Sequence, residues 1–413
     1  MSSDSFTETT TSSWGSRITG AIAGMIFSPI ALLVGCGVLI WNEGNVVKRA
    51  QSLDEGEKQV ITVPADKIEA ANVGKLVHVT GETSVADKLT DKEFGISEPA
   101  VKLLRVVEMY QWDEKKESKR RNNKTTTTYD YSKKWLTGIE NSRSFHKNGY
   151  DNPGFMPLHS HDEIADQVAL GAFQLSTNQI AQIDKREPRP ITADEFAALP
   201  ENVRRDGEQR SGEVYMPISR WISHAPQDQL NKEFKPATEA GNENNPQIGD
   251  IRVKYVVVRP GPATIVGRQT DRGFEAFPTK AGKSILEFRT KTLSAHEMFE
   301  AARADNTMWA WILRGIGVGV IFAGFMLLTG PLTTLADWIP GVNSLVSGGM
   351  FVISLGGTLI VGSCVIALAW LAYHPVFAVG VLVVCVLLAA AVWFLFRRKR
   401  QPELHASGLE IVS

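Results

Sequence analysis

The sequence predicts an α+β membrane protein with four transmembrane helices, one N-terminal and three C-terminal, and a large β-rich extramembrane domain inserted between the first and second. Three observations predict this class. Apolar runs lie near both ends of the 413-residue chain, and each has the roughly 20 residues that a helix needs to cross a bilayer core of about 30 Å. The middle is polar and alternates like strands. The average composition, 43% hydrophobic and 22% charged, therefore combines a lipid-like part and a soluble-like part.

These patterns divide the chain into consecutive segments. In order they are a disordered polar tail (1–17), transmembrane helix 1 (18–41), a β-rich extracytoplasmic or luminal domain (42–293), an amphipathic connecting helix (294–308), transmembrane helices 2, 3 and 4 (309–328, 345–371 and 376–396), and a basic cytoplasmic tail (397–413).

The N-terminal tail is rich in Ser and Thr (MSSDSFTETTTSS), a composition typical of disorder. In the first apolar run, the residues that end at Cys36 resemble a lipobox, so a cleaved signal with Cys36 as a lipidation site is an alternative. The sequence GVLIW continues the apolar run after Cys36, whereas a processed lipoprotein usually becomes polar there. This favours an uncleaved helix.

The C-terminal runs contain many glycines. Spacings such as that between Gly315 and Gly319 let helix backbones approach closely and favour helix packing in lipid. Arg314 lies near a helix end, where its side chain can reach the membrane surface. No other Asp, Glu, Lys or Arg lies in the three runs, which makes an ion-coupled transporter a weak interpretation. The glycines that we predict to pack helices are Gly315, Gly319, Gly349, Gly356 and Gly357.

The basic cluster at residues 397–400 predicts a cytoplasmic C-terminal tail. Four spans then place the middle domain in a periplasm or an organelle lumen. Lys48 and Arg49 argue for the opposite orientation, although long domains cross membranes largely regardless of charge. The membrane is either a bacterial inner membrane or the endoplasmic reticulum and nuclear envelope. The net charge of −1 gives no indication of a nucleic-acid partner.

The middle domain has the alternating patterns of strands. A charged segment, DEKKESKRRNNK, separates two of them and predicts a long hairpin with a basic loop at its tip. We interpret that loop as solvated, with anionic headgroups or an acidic partner as the alternative. The Pro/Asn/Glu-rich residues 225–249 are a candidate break between two β-subdomains. The predicted strands are 74–85, 101–112, 125–131, 251–258 and 263–268, and the predicted helices are 176–183 and 192–199.

Few residues point to chemistry. His159, His161 and Asp162 are weak candidates for metal ligands, because a closed zinc site needs four ligands and these lie in one short polar stretch. His78, flanked by two valines in a predicted strand, is expected to be structural. No catalytic motif such as HExxH or GxSxG occurs. The three cysteines all lie in apolar runs, so the domain has no disulfide framework. We therefore expect no cofactor, no metal and no enzymatic activity.

Several stretches resemble the transmembrane protein 43 (LUMA) family: WNEGN after the first apolar run, PAVKLLRVVEMYQW in the domain, then SAHEMF and WAWILRGIG. The resemblance implies four spans, a luminal domain and a scaffold of the endoplasmic reticulum and inner nuclear membrane that forms oligomers and binds lamins and emerin. Such partners require a cell with a nucleus. It brings no catalytic residues. The residues of this chain that carry it include Asn42, Glu43, Gly44, Pro99, Lys102, Glu108, Tyr110 and Trp112.

The sequence leaves three hypotheses for function. The leading one is a non-enzymatic membrane scaffold that self-associates through its glycine-rich spans, contacts membrane lipid, and recruits other membrane or extracytoplasmic proteins through the domain. A channel or pore subunit is an alternative, suggested by Ser354, Thr358 and Ser363 in the third span. A metal-assisted hydrolase is the second alternative. Within the domain, Glu108 is expected to pair with Arg105 or Lys102.

Overall fold

The computed structural model describes residues 4–11, 13–121, 124–237, 239–336, 342–371 and 375–398. The chain divides into two compact units. The β-rich unit comprises Met1–Ser12, Gly56–Thr279 and Ser284–Phe299, and the helical unit comprises Ser13–Glu55, Lys280–Lys283 and Glu300–Ser413. The helices are α1 Trp14–Glu57, α2 Thr177–Gln182, α3 Ala193–Ala198, α4 Glu201–Asp206, α5 Ile218–Trp221, α6 Ala295–Ala336, α7 Val342–Leu371 and α8 Pro375–Arg398.

Most strands of the β-rich unit belong to two sheets. Their bounds are β1 Asp4–Thr11, β2 Ile61–Thr62, β3 Leu76–Val85, β4 Leu89–Asp91, β5 Ile96–Glu98, β6 Lys102–Arg121, β7 Lys124–Leu136, β8 His161–Ile164, β9 Val168–Leu170, β10 Phe173–Gln174, β11 Arg186–Arg189, β12 Glu208–Arg210, β13 Glu213–Met216, β14 Ile251–Val258, β15 Pro262–Gln269, β16 Phe274–Glu275, β17 Phe277–Pro278, β18 Ser284–Ile285 and β19 Glu287–Arg289.

The first sheet has the strand order β1-β7-β6-β14-β13-β12, with β11 paired to β14 and β8 paired to β6. Strand β14 shows why these residues form a sheet: along IRVKYVVV, buried and half-buried side chains alternate until Val257, as a strand with one covered face requires. Trp221 from α5 is buried in the same apolar core as Val107, Val253 and Tyr255.

The second sheet has the order β10-β9-β3-β15-β16, and its core is formed by side chains such as Val77, Ile265 and Phe173. His78 is buried in β3, where its Nε2 lies 2.9 Å from the Leu293 carbonyl oxygen and its Nδ1 lies 3.3 Å from the Thr62 hydroxyl. Both ring nitrogens have partners, which confirms the structural role predicted for His78.

Strands β6 and β7 extend beyond the rest of the first sheet. Strand β14 pairs with β6 over Lys102–Met109, whereas β7 pairs with β6 from Met109 to Arg121. Residues 110–121 and 124–135 therefore form a two-stranded arm, which we call the β-arm. At about 3.3 Å per residue the β-arm is about 40 Å long.

Three predictions for this unit are wrong. Residues 4–11 of the predicted disordered tail form β1, which pairs with β7 along its full length. Most of the predicted charged loop, residues 113–121, is strand, because its alternating polar side chains can occupy both solvated faces of a ribbon; Asn122 and Asn123 lie outside the described residues. Residues 225–249 do not separate two subdomains, because each sheet contains strands from both sides of them.

The short helices and α6 begin as predicted. Ser176 and Gln179 form a capping box at α2, and Thr192 and Glu195 form one at α3. Ser294 exchanges hydrogen bonds with Glu297 at the start of α6. From there α6 continues without interruption to Ala336, so the predicted connecting helix and second span are one helix, and it extends beyond the predicted end at Leu328.

Three helices among the described residues are long and apolar enough to span a membrane: Gly15–Glu57, Ala295–Ala336 and Ser344–Leu371. These correspond to the first three predicted spans. The fourth predicted span lies in helix α8, and its crossing of the membrane remains a prediction. Helix α1 also extends beyond its apolar run to Glu57, so residues 42–57, predicted as the start of the β-rich domain, are helical.

Candidate functional site in the membrane helices

Helices α1 and α6 pack against each other through glycines. A Cβ at Gly35 would lie 2.7 Å from Cγ1 of Ile321 and 3.0 Å from the Gly317 carbonyl oxygen, and a Cβ at Gly324 would lie 2.9 Å from Leu32. The missing side chains allow the two backbones to approach closely, as small residues do in membrane helix pairs. The Ser28 hydroxyl donates a hydrogen bond of 2.9 Å to the Gly324 carbonyl oxygen. None of these glycines was among the packing residues predicted from the sequence.

A buried ion pair lies in the same helix pair. Glu43 of α1 has no exposed surface, and its carboxylate accepts hydrogen bonds from Nε and Nη2 of Arg314 on α6, at 2.6 and 2.7 Å. Asn42 is buried beside it and donates to the Ala310 carbonyl oxygen of α6 at 3.3 Å. Two parallel hydrogen bonds between guanidinium and carboxylate form a strong and directional arrangement. The structure thus gives Arg314 a partner that the sequence analysis did not predict, and its position at the membrane surface stays a prediction.

Helix α7 completes this cluster. The indole N–H of Trp370 donates a hydrogen bond to the second carboxylate oxygen of Glu43. The Arg314 guanidinium also lies 4.9 Å from the ring centre of Trp311 and 6.0 Å from that of Trp370, within the range of cation–π attraction. Asn42, Glu43, Arg314 and Trp370, which we call the Glu43 cluster, thus connect three helices around one carboxylate.

The packing glycines predicted from the sequence have two different environments. A Cβ at Gly357 would lie 3.0 to 3.3 Å from the Phe325 ring, so Gly357 contacts another helix of the same chain. A Cβ at Gly315, Gly319, Gly349 or Gly356 would meet nothing within 4 Å. These four glycines lie on faces of α6 and α7 that the described part of the chain leaves uncovered.

Two of the three polar residues of α7 that suggested a pore are buried, and the third, Ser363, is half-buried. Ser354 and Thr358 have 0% and 1% of their surface exposed, and the Thr358 hydroxyl donates to the Ser354 carbonyl oxygen of its own helix. The Ser354 hydroxyl has no hydrogen-bond partner within the described residues.

The family-motif residues of the domain form ion pairs between strands and loops. Glu108 of β6 pairs with Arg252 at 2.6 Å and Lys254 at 3.0 Å, both on the neighbouring β14. The prediction that Glu108 pairs with Arg105 or Lys102 is wrong: Arg105 pairs with Asp91 and Glu93, and Lys102 pairs with Asp184. Burial raises the pKa of Glu108, but the hydrogen bonds and charges of its two partners outweigh burial, and its pKa is lowered.

The aromatic motif residues stabilise the start of the β-arm. Tyr110 is largely buried, and its ring lies 5.3 Å from that of Trp135 across the strand pair. Trp112 packs edge-on against Tyr150 at 4.9 Å. Pro99 is exposed just before β6, and Gly44 is partly buried in α1 beside the Glu43 cluster.

The candidate metal ligands lie on the exposed edge of the first sheet. His159, His161 and Asp162 are exposed, and Nε2 of His161 lies 3.0 Å from a carboxylate oxygen of Glu163 in the same strand. Across the parts of the chain that the structure describes, no three His, Cys, Asp or Glu side chains are grouped so that they could hold a metal ion.

A β-rich domain inserted between the first two of a set of long apolar helices, with a buried ion pair joining those helices, defines a class of integral membrane protein. The sequence profile of transmembrane protein 43 matches residues 109–375. The chain is 30% identical over 382 residues to transmembrane protein 43 of Homo sapiens and of Mus musculus, covering 88% of this chain and 87% of each relative. The homolog of Drosophila melanogaster is 28% identical over 386 residues, covering 89% of this chain and 93% of the relative. The chain belongs to the transmembrane protein 43 family. No solved structure matches it.

Proposed function

We propose that this membrane protein is a non-catalytic scaffold that self-associates in the bilayer through α6 and α7 and displays its β-rich domain to partner proteins outside the cytoplasm. In this proposal α8 is the fourth span and the basic tail is cytoplasmic. Lamin- or emerin-type partners belong to the proposal only for a source with a nucleus.

The main support for the proposal is that glycines predicted to pack helices lie on helix faces that the described residues leave uncovered. Gly315 and Gly319 are one helical turn apart on α6, and a Cβ at either position would meet open space. Large side chains on the same face, such as Ile312 and Ile316, are exposed. In lipid, close packing of small residues is a main source of helix association. A second copy that presents the same face would bury this surface.

The helix pair that flanks the domain also supports a scaffold. Contacts between α1 and α6 extend from the Asp54–Arg303 ion pair, at 3.0 Å, to the packing of Leu327 on Gly24. The segment from Gly24 to Asp54 corresponds to about 45 Å of helix, which is longer than a bilayer core of about 30 Å. The two ends of the inserted domain therefore begin from helices that are fixed to each other.

The proposal is tested by measuring subunit number for single molecules in lipid bilayers. Gly315→Leu combined with Gly319→Leu, and separately Gly356→Leu, should shift the population toward monomers by several-fold, because a leucine prevents close approach of a second helix. The control is Gly37→Leu on α1, where a Cβ also meets open space, and which should leave the distribution unchanged.

Two results would contradict the proposal. A wild-type protein that is monomeric at every protein-to-lipid ratio would remove self-association. Ion flux above background in reconstituted vesicles, lost in Ser354→Val or Thr358→Val, would favour the channel alternative.

A further inference from the structure

The outer edge of β7 can bind a further strand, and the structure gives an example. Strand β1 pairs antiparallel with β7 from Asp4 opposite Tyr131 to Thr11 opposite Lys124. All eight β1 residues are exposed. The pairing combines backbone hydrogen bonds, as in other cases of strand addition, with side-chain contacts of Asp4, Phe6 and Glu8 to residues 146–150. A two-stranded ribbon is marginally stable in water, so a third strand stabilises the β-arm.

A crossing of the membrane by α1 would separate these two strands. Strand β1 ends at Thr11, and α1 begins at Trp14 and continues to Glu57. If α1 crosses the bilayer beside α6, the residues before α1 lie on one side, and residues 124–131, which follow it, lie on the other. The charged β-arm cannot pass through lipid, where exposed backbone and charged groups cost several kcal/mol each. Strand β1 then cannot remain on β7 of the same chain, and the β7 edge is left without its third strand.

We propose that in the inserted protein the β7 edge pairs antiparallel with the β7 edge of a second copy, forming a continuous sheet across a twofold axis. This inference rests on the self-association proposed above and names a second contact for it. An antiparallel pair of identical strands is compatible with twofold symmetry, because each copy presents the same edge.

The sequence of β7 favours one register. When Thr127 lies on the axis, each residue faces the one that is equally far from Thr127 on the other side. Thr126 then faces Thr128 of the partner copy, and Lys124 faces Asp130 of the partner copy. Opposite charges directly across an antiparallel pair stabilise it, and like charges destabilise it. The same strand already accepts threonines from β1, since the hydroxyl of Thr7 lies 3.4 Å from that of Thr128. A second copy of TTTT therefore fits this edge.

The test is disulfide crosslinking in native membranes, in a background that lacks Cys36, Cys364 and Cys385. Thr127→Cys should give a crosslinked dimer, whereas Ser118→Cys should not. Ser118 is the matched control because it faces Thr127 across the β-arm and lies on the strand farther from the axis. The pair Thr7→Cys with Thr128→Cys should give no crosslink within one chain.

The charge register provides the second measurement. Lys124→Asp alone should reduce the Thr127→Cys dimer several-fold, and adding Asp130→Lys should restore it, because the exchanged charges again face each other. A Thr7–Thr128 crosslink within one chain in membranes would overturn the proposal, as would a Thr127→Cys crosslink to a different protein. If the Thr127→Cys dimer is absent while oligomers sensitive to Gly356→Leu persist, the β7 contact is wrong and self-association through the spans still holds.

Discussion

At the scale of single residues, Glu43 is a carboxylate that lies just beyond the apolar part of α1 and has no exposed surface. Removing one partner of a buried ion pair typically costs about 3–5 kcal/mol, whereas removing both charges costs much less, because no charge is left unpaired. The Glu43 cluster should follow this rule, because both Arg314 and Trp370 donate hydrogen bonds to the carboxylate of Glu43.

We expect Glu43→Gln and Arg314→Gln each to lower the free energy of unfolding in detergent by a few kcal/mol. The double variant should be more stable than the sum of the single losses predicts. Chemical unfolding of the four proteins provides this double-mutant cycle. Additive losses would mean that the two side chains do not act as a pair.

A pH dependence is expected from Glu195 in the β-rich unit. The hydrogen bond that Arg189 donates to Glu195, 2.6 Å from Nη1, lowers the pKa of Glu195 from 4.5 to about 2. Because the folded-state pKa is the lower one, the stabilisation is complete above pH 4.5 and is lost as the pH falls toward 2. At neutral pH it amounts to at most about 3 kcal/mol. Glu195→Gln should therefore destabilise the protein at pH 7 and make little difference near pH 2.

Thermal unfolding of wild type and Glu195→Gln between pH 7 and pH 2 measures this effect. The control is Glu233→Gln, whose carboxylate is on an exposed residue and which should change stability little at either pH. A difference between wild type and Glu195→Gln that stays constant over this range would mean that the side chain acts through packing and not through its charge.

At the scale of elements, the positions of the helices were easier to predict from the sequence than which helices pack against each other. The capping residues Ser294 and Glu297, followed by a stretch without Pro or Gly, predicted that α6 runs from the domain into the second span. The extension of α1 to Glu57 was missed because residues 42–57 are mostly polar, although their apolar residues recur with helical spacing. Leu39, Val46 and Leu53 recur every seven residues, and Leu39 and Leu53 are fully buried. That spacing is a helix signal.

The packing partners could not be predicted from one sequence for a physical reason. A glycine in a span permits close approach by any neighbour, and the spacing does not identify which one. Gly317 and Gly324 lie seven residues apart on one face of α6 and contact α1, whereas Gly315 and Gly319 lie on another face that is uncovered. Likewise, Glu43 and Arg314 were both visible in the sequence. Their pairing depends on the antiparallel register of α1 and α6, which only the packing of side chains fixes.

The α1–α6 interface gives a prediction for these elements. Gly35→Leu should lower the unfolding temperature of the monomer in detergent, because the new side chain collides with the backbone of Gly317; overpacking of this kind typically costs about 1–3 kcal/mol. Gly37→Leu is the matched variant two residues away, where a Cβ meets open space, and should leave the unfolding temperature unchanged. Equal effects of the two substitutions would mean that helix propensity, not packing, determines the outcome.

At the scale of the whole molecule, the number of spans determines on which side each end of the chain lies. With α1, α6, α7 and α8 all crossing, the C-terminal tail lies on the side opposite the β-rich domain. If α8 does not cross, the tail and the domain lie on the same side. The basic residues 397–400 favour a cytoplasmic tail. If all four helices cross, a cytoplasmic tail places the β-rich domain on the extracytoplasmic or luminal side; if α8 does not cross, it places the domain in the cytoplasm.

Single cysteines in a background without the three native ones test this topology. We place one at Ser211, an exposed residue in the turn between β12 and β13, and one at Ser407 in the tail. In intact cells or sealed vesicles with the outside face accessible, a membrane-impermeant maleimide should label Ser211→Cys alone, and Ser407→Cys should react only after permeabilisation. Labelling of both positions would show that α8 does not cross the membrane. Labelling of Ser407→Cys alone would reverse the orientation and place the β-rich domain, with any partner it binds, in the cytoplasm.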